Sequence, residues 1–380
     1  MQQVSEQTAT ARHRPKTEEE LAELIAGANA PFSIRGGGSQ GVALAGEAVL
    51  ETGGLSGITL YEPGALTLVA RAGTPLSEID VALAAESQRL AFEPMDCRAL
   101  MGSDGAPTLG GMAAANLSGP RRVQVGAARD FMLGVRFVDG SGRIVKNGGR
   151  VMKNVTGYDL VKLMAGAHGT LGVLTEIALK VLPTPETQAC LMIDGLSDGE
   201  AVAAMAKALS SPYEVMGAAH VPEGPGGTPV TMLRLEGFET QVSYRLDQLK
   251  ALFPGAAIRV ERDPDQVDTG WRRVRDLEGW AETQGDVWRL SCTPSDAPGL
   301  VEKAAPEAHL YDWGGGRVWL RLPEGTDLRA RLGAFDGHAT LLRGTGQPRF
   351  QPEPEAVALL TRGLRQRFDP KGLFNPGLMG

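Results

Sequence analysis

Two glycine-rich segments constrain the fold of this chain more than any other feature. Residues 35–40 read RGGGSQ and follow a predicted strand, while residues 108–119 read TLGGMAAANLSG. A backbone without bulky side chains approaches other groups closely, and successive N–H groups in such a loop can hold an anion. We therefore expect residues 36–40 to cradle a pyrophosphate, to which Arg35 adds a charge-assisted hydrogen bond. The alternative for this segment taken alone is a glycine-rich turn.

A dinucleotide-binding βαβ fold with NAD is a second interpretation, because residues 36–41 match G-x-G-x-x-G. That fingerprint must open a helix. Here Val42 to Gly54 carries further glycines at 46, 53 and 54, which is typical of a loop and a strand. We therefore reject this interpretation. The chain also lacks a G-x-x-x-x-G-K-[ST] segment, so nucleotide hydrolysis has no support.

The length of 380 residues exceeds the usual size of one domain, and the pattern changes after Pro183 and Pro185. Before this point, helices and strands are mixed; Thr17 with Glu20 predicts one helix N-terminus, and Thr74 predicts another, with Pro75 as the first helical residue. After it, the pattern favours an antiparallel sheet with helices on one face. We expect an α+β fold in three parts, residues 1–185, 186–345 and 346–380, the last being a helix and a tail that return to the first part.

Composition excludes several classes of function. A net charge of −7 and an aromatic content of 5% argue against a nucleic-acid partner. The N-terminus has no apolar signal region, and no apolar stretch reaches the length of a transmembrane segment, so a cytoplasmic protein is expected. Attachment to the inner membrane through partners stays open. The three dispersed cysteines, Cys97, Cys190 and Cys292, cannot hold an iron–sulfur cluster, so any such centre belongs to a partner.

The sequence resembles the FAD-binding family of the vanillyl-alcohol-oxidase, or PCMH, type, which includes D-lactate dehydrogenases and glycolate oxidase subunits. Five blocks in order carry the resemblance: RGGGSQ at 35–40, TLGGMAAANLSG at 108–119, GAARDFMLGVRFVDGSGRIVK at 126–146, GAHGTLGVLTEIALKVLP at 166–183 and FDPKGLFNPG at 368–377. The resemblance implies a two-part FAD-binding domain over residues 1–185 and an α+β cap domain over residues 186–345.

The resemblance also implies which residues contact FAD. The pyrophosphate would lie at Arg35, Gly36, Gly37, Gly38, Ser39 and Gln40. The riboflavin would lie along Thr108, Gly110, Gly111, Ala115, Asn116, Ser118 and Gly119, with Asp130 as a further contact. The adenine would lie near Gly172 and Val173, and Asn375 would face the flavin. An apolar slot lined by glycine with a few backbone donors suits a planar ring.

Three departures from the family pattern matter. Ser39 stands where relatives with covalent flavin carry a histidine, so we expect non-covalent FAD, with Cys97 as a remote attachment site. His168 stands where many relatives carry a glutamate, and we interpret it as a surface or capping residue. The histidine-rich metal motif of the main catalytic relatives is missing, and the five histidines are isolated in sequence, so no metal site is expected.

Within this family the chain resembles FAD-binding subunits of glycolate oxidase in its length, its C-terminal block and YDWGGGRVWLRL at 311–322. The similarity implies oxidation of glycolate or another small 2-hydroxy acid in a complex with a second FAD subunit and an iron–sulfur subunit. Two alternatives stay open: an assembly subunit that binds flavin without turnover, and a stand-alone oxidase.

A site for such an acid needs a proton acceptor and a cation for the carboxylate. The sequence offers two arginine pairs, Arg317 with Arg321 and Arg272 with Arg275. A solvated basic face balanced by nearby acids, such as Asp276, is the favoured interpretation of both pairs. No catalytic residue is assigned from the sequence.

Overall fold

The computed structural model describes residues 11–42, 45–150 and 157–379. Among these residues, no helix combines the length and apolar character needed to cross a membrane. The strands are β1 (Arg12–His13), β2 (Phe32–Arg35), β3 (Ala48–Glu51), β4 (Ile58–Glu62), β5 (Thr67–Arg71), β6 (Gln88–Arg89), β7 (Met132–Val138), β8 (Ile144–Gly148), β9 (Val173–Lys180), β10 (Leu182–Pro183), β11 (Thr187–Asp194), β12 (Gly217–Val221), β13 (Val230–Gly237), β14 (Ala257–Glu261), β15 (Asp286–Cys292), β16 (Ala308–Asp312), β17 (Arg317–Leu322) and β18 (Gly337–Arg343). The α-helices are α1 (Glu18–Gly27), α2 (Leu76–Ala85), α3 (Arg98–Met101), α4 (Leu109–Ala115), α5 (Arg122–Val125), α6 (Ala128–Phe131), α7 (Leu160–Met164), α8 (Asp198–Leu209), α9 (Glu239–Ala251), α10 (Pro264–Asp276), α11 (Ala297–Ala304), α12 (Leu328–Leu332) and α13 (Glu355–Phe368).

A small parallel sheet in the order β1–β3–β2 begins the chain. The predicted helix after Thr17 is α1, and the Thr17 hydroxyl accepts a hydrogen bond from the Glu20 N–H at 3.1 Å. The Glu20 carboxylate accepts from the Lys16 N–H instead of the Thr17 N–H, so only half of the predicted capping box forms. Helix α1 buries Leu21 and Ile25 against this sheet.

A second, antiparallel sheet in the order β4–β5–β9–β7–β8 completes the N-terminal half, which is defined here as the described residues up to 183. Its main core includes Leu68, Ile79 and Ile177. The prediction that Thr74 caps α2 is wrong, because Pro75 occupies the N-cap position. The Thr74 hydroxyl instead donates to the Arg71 carbonyl and accepts from the Gly57 N–H, which ties the preceding turn to the loop after residue 55.

An eight-stranded antiparallel sheet, β14–β11–β13–β12–β16–β17–β15–β18, spans residues 187–343. One of its faces packs against α8, α9, α11 and α12 in a core that includes Leu191 and Leu290. The other face is covered by α10 and by residues 95–101 of the N-terminal half. The expectation of helices on one face is therefore wrong. The reason is that both faces are apolar: Cys190 points opposite to Leu191, and it packs with Trp271 of α10.

A buried ion network joins the two halves. Glu93 and Arg121 of the N-terminal half meet Arg234 and Glu236 of β13, and Arg89 extends the network. The Arg121 Nε lies 2.6 Å from the Glu236 Oε1, and the Arg234 Nη2 lies 2.6 Å from the Glu93 Oε1. Burial alone would raise the pKa of both carboxyls, but the surrounding guanidinium groups lower the pKa of Glu93 and bring that of Glu236 to about 2.

The C-terminal tail returns to the N-terminal half, whereas the helix before it stays exposed. Phe374 pairs with Phe32 in a parallel bridge, and both residues are buried. No residue of α13 is buried, and its Leu359 and Leu360 are 64% and 70% exposed. The tail thereby extends the small parallel sheet, while α13 offers an apolar surface.

Candidate functional site

A cavity lies where the end of β2, the loop after it, the start of α4, the residues before β9 and the C-terminal tail meet. Its volume is about 880 Å³, which includes the part open to solvent. Thirteen of the residues predicted to contact FAD line it: Arg35, Gly36, Gly37, Gly38, Ser39, Gln40, Thr108, Gly110, Gly111, Ala115, Gly172, Val173 and Asn375. Segments far apart in the sequence therefore come together as the resemblance implied.

The glycine loop is held by close contacts with the segment before α4. A Cβ atom on Gly37 would lie 1.7 Å from the Ala106 carbonyl oxygen, and one on Gly36 would lie 2.3 Å from the Thr108 Oγ1. Gly38 has a different reason to be glycine, since its φ of +80° falls in the left-handed region while the space around it is open. Gly36 and Gly37 thus allow the two backbones to pack closely, and Gly38 allows the chain to turn.

The loop also presents unused backbone donors. Among the described residues, we find no acceptor for the N–H groups of Gly37, Gly38, Ser39 and Gln40. None of the residues that line the cavity in the described ranges is a carboxylate, and Arg35 supplies a positive charge. A row of free amides beside a cation suits an anionic group such as a pyrophosphate.

The second glycine-rich segment forms a short helix, which sequence reasoning did not foresee. Thr108 is the N-cap of α4 and accepts from the Gly111 N–H at 3.2 Å. The Gln40 side chain donates to the Gly111 carbonyl at 3.0 Å and joins the two segments. A Cβ on Gly110 would meet the Ala72 side chain at 2.8 Å, so this glycine lets α4 lie against the residue after β5.

Asn375 also lines the cavity and uses both ends of its amide. Its Oδ1 accepts from the Ile34 N–H at 2.7 Å, and its Nδ2 donates to the His168 carbonyl at 2.8 Å. Its φ of 43° is left-handed, a conformation that asparagine tolerates better than most residues. This side chain therefore holds the tail, the end of β2 and the loop at His168 together.

His168 is a half-buried residue of the cavity wall, so it is only partly at the surface, as the interpretation of a surface or capping residue allows. The centroid of its ring lies 4.7 Å from that of the Phe350 ring, and its backbone N–H donates to the Ala114 carbonyl. Burial, together with Arg349 and Arg289, lowers the pKa of His168 to about 3. The imidazole is therefore neutral at physiological pH.

Four predicted contacts lie outside this cavity and have structural partners. Asn116 ends α4, and its Oδ1 accepts from the Arg129 N–H. The Ser118 hydroxyl accepts from the Ala128 N–H, and the Gly119 carbonyl accepts from the Trp313 indole at 3.0 Å. The Asp130 carboxylate accepts from the Ala127 N–H at the start of α6. The structure thus divides the predicted set into a cavity group and a group that supports α4 and its surroundings.

The two arginine pairs singled out in the sequence are paired with acids. Arg272 binds Glu278, and Arg275 binds Asp276. Arg321 lies 3.5 Å from Glu307, while Arg317 is buried against Asp312, so it belongs to no solvated face. None of the four is free to take a carboxylate ligand without losing its partner.

Two histidines described above as isolated meet in space. The His309 Nε2 lies 2.7 Å from the Asp198 Oδ2, and the His220 Nε2 lies 3.5 Å from the Asp198 Oδ1. Tyr311 also donates to Asp198, at 2.8 Å. The described residues contain no group of three or more metal-ligating side chains placed to hold an ion. Sequence spacing gave no signal for this cluster because its members lie on three different elements.

The chain is similar to known proteins in sequence and in fold. The family model of an FAD-binding domain matches residues 9–148. Glycolate oxidase subunit GlcE of Escherichia coli is 36% identical over 325 residues, which cover 85% of this chain and 84% of that protein. Glycolate oxidase subunit GlcD of Bacillus subtilis is 37% identical over 131 residues, 34% of this chain and 24% of that protein. A solved structure of alkyldihydroxyacetonephosphate synthase shares the fold, with a TM-score of 0.70 at 15% identity, covering 96% of this chain and 76% of the other.

Proposed function

Since this chain belongs to the family of glycolate oxidase subunit GlcE, we propose that it is the FAD-binding subunit of a complex that oxidises glycolate or a similar 2-hydroxy acid. The observation that carries the proposal is the cavity behind the glycine loop. Within the described part of the chain, the cavity offers four backbone N–H groups without acceptors, one guanidinium and no carboxylate, which is a donor set that suits the pyrophosphate of FAD. Gly111 and Ala115, which also line the cavity, have no bulky side chain and leave room for a flat ring.

FAD binding is proposed to be non-covalent. Ser39 replaces the attachment histidine of covalent relatives, and a hydroxyl is a poor nucleophile without an adjacent base. Cys97 is not among the residues that line the cavity. Burial raises the pKa of its thiol to about 12, so it stays protonated and unreactive.

When bound, FAD would accept two electrons from the acid, or from a partner flavin, and release them to a further carrier. The chain supplies position and environment for this chemistry. The backbone N–H groups of Gly37 to Gln40 would hold the pyrophosphate. Asn375 binds Ile34 and His168 and so holds the C-terminal tail in place at the cavity wall. The neutral His168 keeps that part of the wall uncharged.

A partner is proposed because the electron carrier must lie on another polypeptide. The three cysteines are too few for an iron–sulfur cluster of their own. Helix α13 supports a protein partner: its Val357, Leu359, Leu360 and Leu364 are all at least 40% exposed. Apolar surface of this kind marks interaction sites. We propose that a second flavoprotein subunit covers α13 and that an iron–sulfur subunit completes the complex.

The cofactor site is tested by Gly37→Ala. The new Cβ would overlap the Ala106 carbonyl, so the loop must move and the row of amides loses its arrangement. We expect the purified variant to retain little FAD, measured as flavin absorbance per protein. Gly64→Ala is the matched control, because the space around Gly64 is open and its backbone is not left-handed. Wild-type flavin content in a folded Gly37→Ala variant would contradict the proposed site.

A further inference from the structure

We propose that Arg317 and Trp313 are positioning residues of the FAD site, because they fix the backbone that follows α4. Both belong to the second half, defined here as residues 187–343, and to the block YDWGGGRVWLRL at 311–322. No residue of this block lines the FAD cavity. Their role rests on the proposed function and deepens it, since it makes the binding of FAD depend on the second half.

The Arg317 guanidinium binds a backbone carbonyl of the N-terminal half. Its Nη1 donates to the Ser118 carbonyl at 2.8 Å, and its Nη2 binds the buried Asp312 carboxylate. Its Cζ lies 4.0 Å from the centroid of the Trp313 ring and 4.8 Å from that of the Trp319 ring. The Arg317 side chain is only 3% exposed, so the ion pair and the two rings fix the direction in which Nη1 donates.

Trp313 binds the next carbonyl along the chain, that of Gly119. The Trp313 Nε1 donates to it at 3.0 Å. The backbone of Trp313 is left-handed, with a φ of 53°, and the Asp312 Oδ1 accepts from its N–H at 2.7 Å. This conformation is uncommon for a bulky residue and persists only where the surrounding contacts require it. Arg317 and Trp313 thus hold two successive carbonyls of the N-terminal half.

The backbone at Ser118 and Gly119 depends on these two donors. Among the described residues, we find no other donor to the Ser118 carbonyl, while the Gly119 carbonyl also accepts from the Arg122 N–H at 3.1 Å. A Cβ atom on Gly119 would lie 2.3 Å from the Glu93 carbonyl oxygen, so this backbone is closely packed. Ser118 is buried, and a buried carbonyl without a donor is costly, so loss of the Arg317 bond should shift the backbone.

Helix α4 connects this backbone to the FAD cavity. The helix ends at Ala115, three residues before Ser118. Gly111, Ala114 and Ala115 line the cavity. The Ala114 carbonyl also accepts from the backbone N–H of His168 at 2.8 Å, and His168 lines the cavity as well. Two segments of the cavity wall are therefore joined at the end of α4 that the second half holds in place.

A purely structural role for Arg317 and Trp313 is the alternative, and it has different consequences. Loss of stability alone leaves the affinity of the folded chain for FAD unchanged, because folding and binding are separate equilibria. Displacement of α4 changes both the affinity and the surroundings of the flavin. Protein groups near the flavin ring tune its electron affinity, so the midpoint potential of the bound FAD distinguishes the two roles.

The experiment titrates the full chain, freed of FAD, with FAD and follows the quenching of flavin fluorescence. Arg317→Lys keeps a charge for Asp312 but lacks the fork that binds Ser118 at the same time. Trp313→Phe keeps an aromatic ring and lacks the donor to Gly119. We expect at least about fivefold weaker FAD binding by Arg317→Lys, and weaker binding by Trp313→Phe as well. In both FAD-saturated variants the midpoint potential should differ from that of the wild type.

Trp288→Phe is the matched control. Trp288 is buried in the core on the sheet face that packs against α8, α9, α11 and α12, and its indole has no acceptor among the described residues. The same change of side chain should therefore lower the free energy of unfolding, measured in urea. It should leave the affinity for FAD and the midpoint potential at their wild-type values.

Wild-type FAD affinity and midpoint potential in folded Arg317→Lys and Trp313→Phe would overturn the proposal. Equal weakening of FAD binding by Trp288→Phe would also overturn it, because the effect would then follow from stability alone. Should Arg317→Lys fail to fold, Trp313→Phe still decides. A wild-type chain that binds no FAD would contradict the proposed function and this role with it, whereas a wild type that binds FAD no better than the variants contradicts this role alone.

Discussion

Replacing Glu236 by glutamine should remove most of the stability that the buried ion network contributes. Glu236 accepts from Arg121 at 2.6 Å and contacts Arg89 at 2.5 Å, and its side chain is 3% exposed. The difference between its ordinary pKa of 4.5 and the value of about 2 in the folded protein corresponds to about 3 kcal/mol. Breaking one partner of a buried pair typically costs about 3–5 kcal/mol, so the two lines of reasoning agree.

The assay is urea denaturation of wild type and Glu236→Gln, with Glu307→Gln as the control. Glu307 forms an ion pair with Arg321 in which its side chain is 48% exposed, so its loss should cost no more than about 1 kcal/mol. The folded-state pKa of Glu236 is lowered, so its contribution is complete above about pH 5 and is lost as the pH falls towards 2. Equal free energies of unfolding for the two variants at pH 7 would refute the network as a stabilising link between the halves.

Three further outcomes are expected. Asn375→Ala leaves the Ile34 N–H and the His168 carbonyl without partners, which should cost about 2–4 kcal/mol of stability and lower the FAD content measured by absorbance. Denaturation in acid or detergent should release all FAD into the supernatant, since Ser39 offers no covalent attachment; flavin that stays with the protein would contradict this. Leu360→Glu on α13 should abolish co-purification with a second flavoprotein while the chain stays folded and flavin-loaded; unchanged co-purification would exclude α13 as the docking surface.

Much of the cofactor site could be predicted from the sequence, because it depends on local features. The strand before Arg35, the triple glycine and the small-residue segment at 108–119 carry their conformations in their own residues, and the structure brings them to one cavity. The rejection of a dinucleotide-binding βαβ unit is confirmed, since the described residues after Gly41 run into β3 and no helix follows the glycines. The antiparallel second sheet is confirmed as well.

The errors concern interactions between distant residues. Helix α10 lies on the second face of the sheet because its Trp271 packs against Cys190. The hydrophobic periodicity of α10 does not predict this contact. The roles of Asn116 and Ser118 follow from the way α6 packs behind α4. His220 and His309 both lie beside Asp198, and these residues of β12, β16 and α8 are brought together only by the folded chain. Sequence spacing carries no information on such contacts.

The role of this chain as a flavin-binding subunit is tested by measuring glycolate-dependent dye reduction by its complex with the second flavoprotein and the iron–sulfur subunit. The complex is assembled once with the wild-type chain and once with the Gly37→Ala variant, and the flavin of this subunit is quantified in each. Full rates are expected only with the flavin-loaded wild type, and this chain alone should give no matching rate. Equal rates with a flavin-free variant would show that the chain serves assembly only. Full activity from the wild-type chain without partners would contradict its role as a subunit.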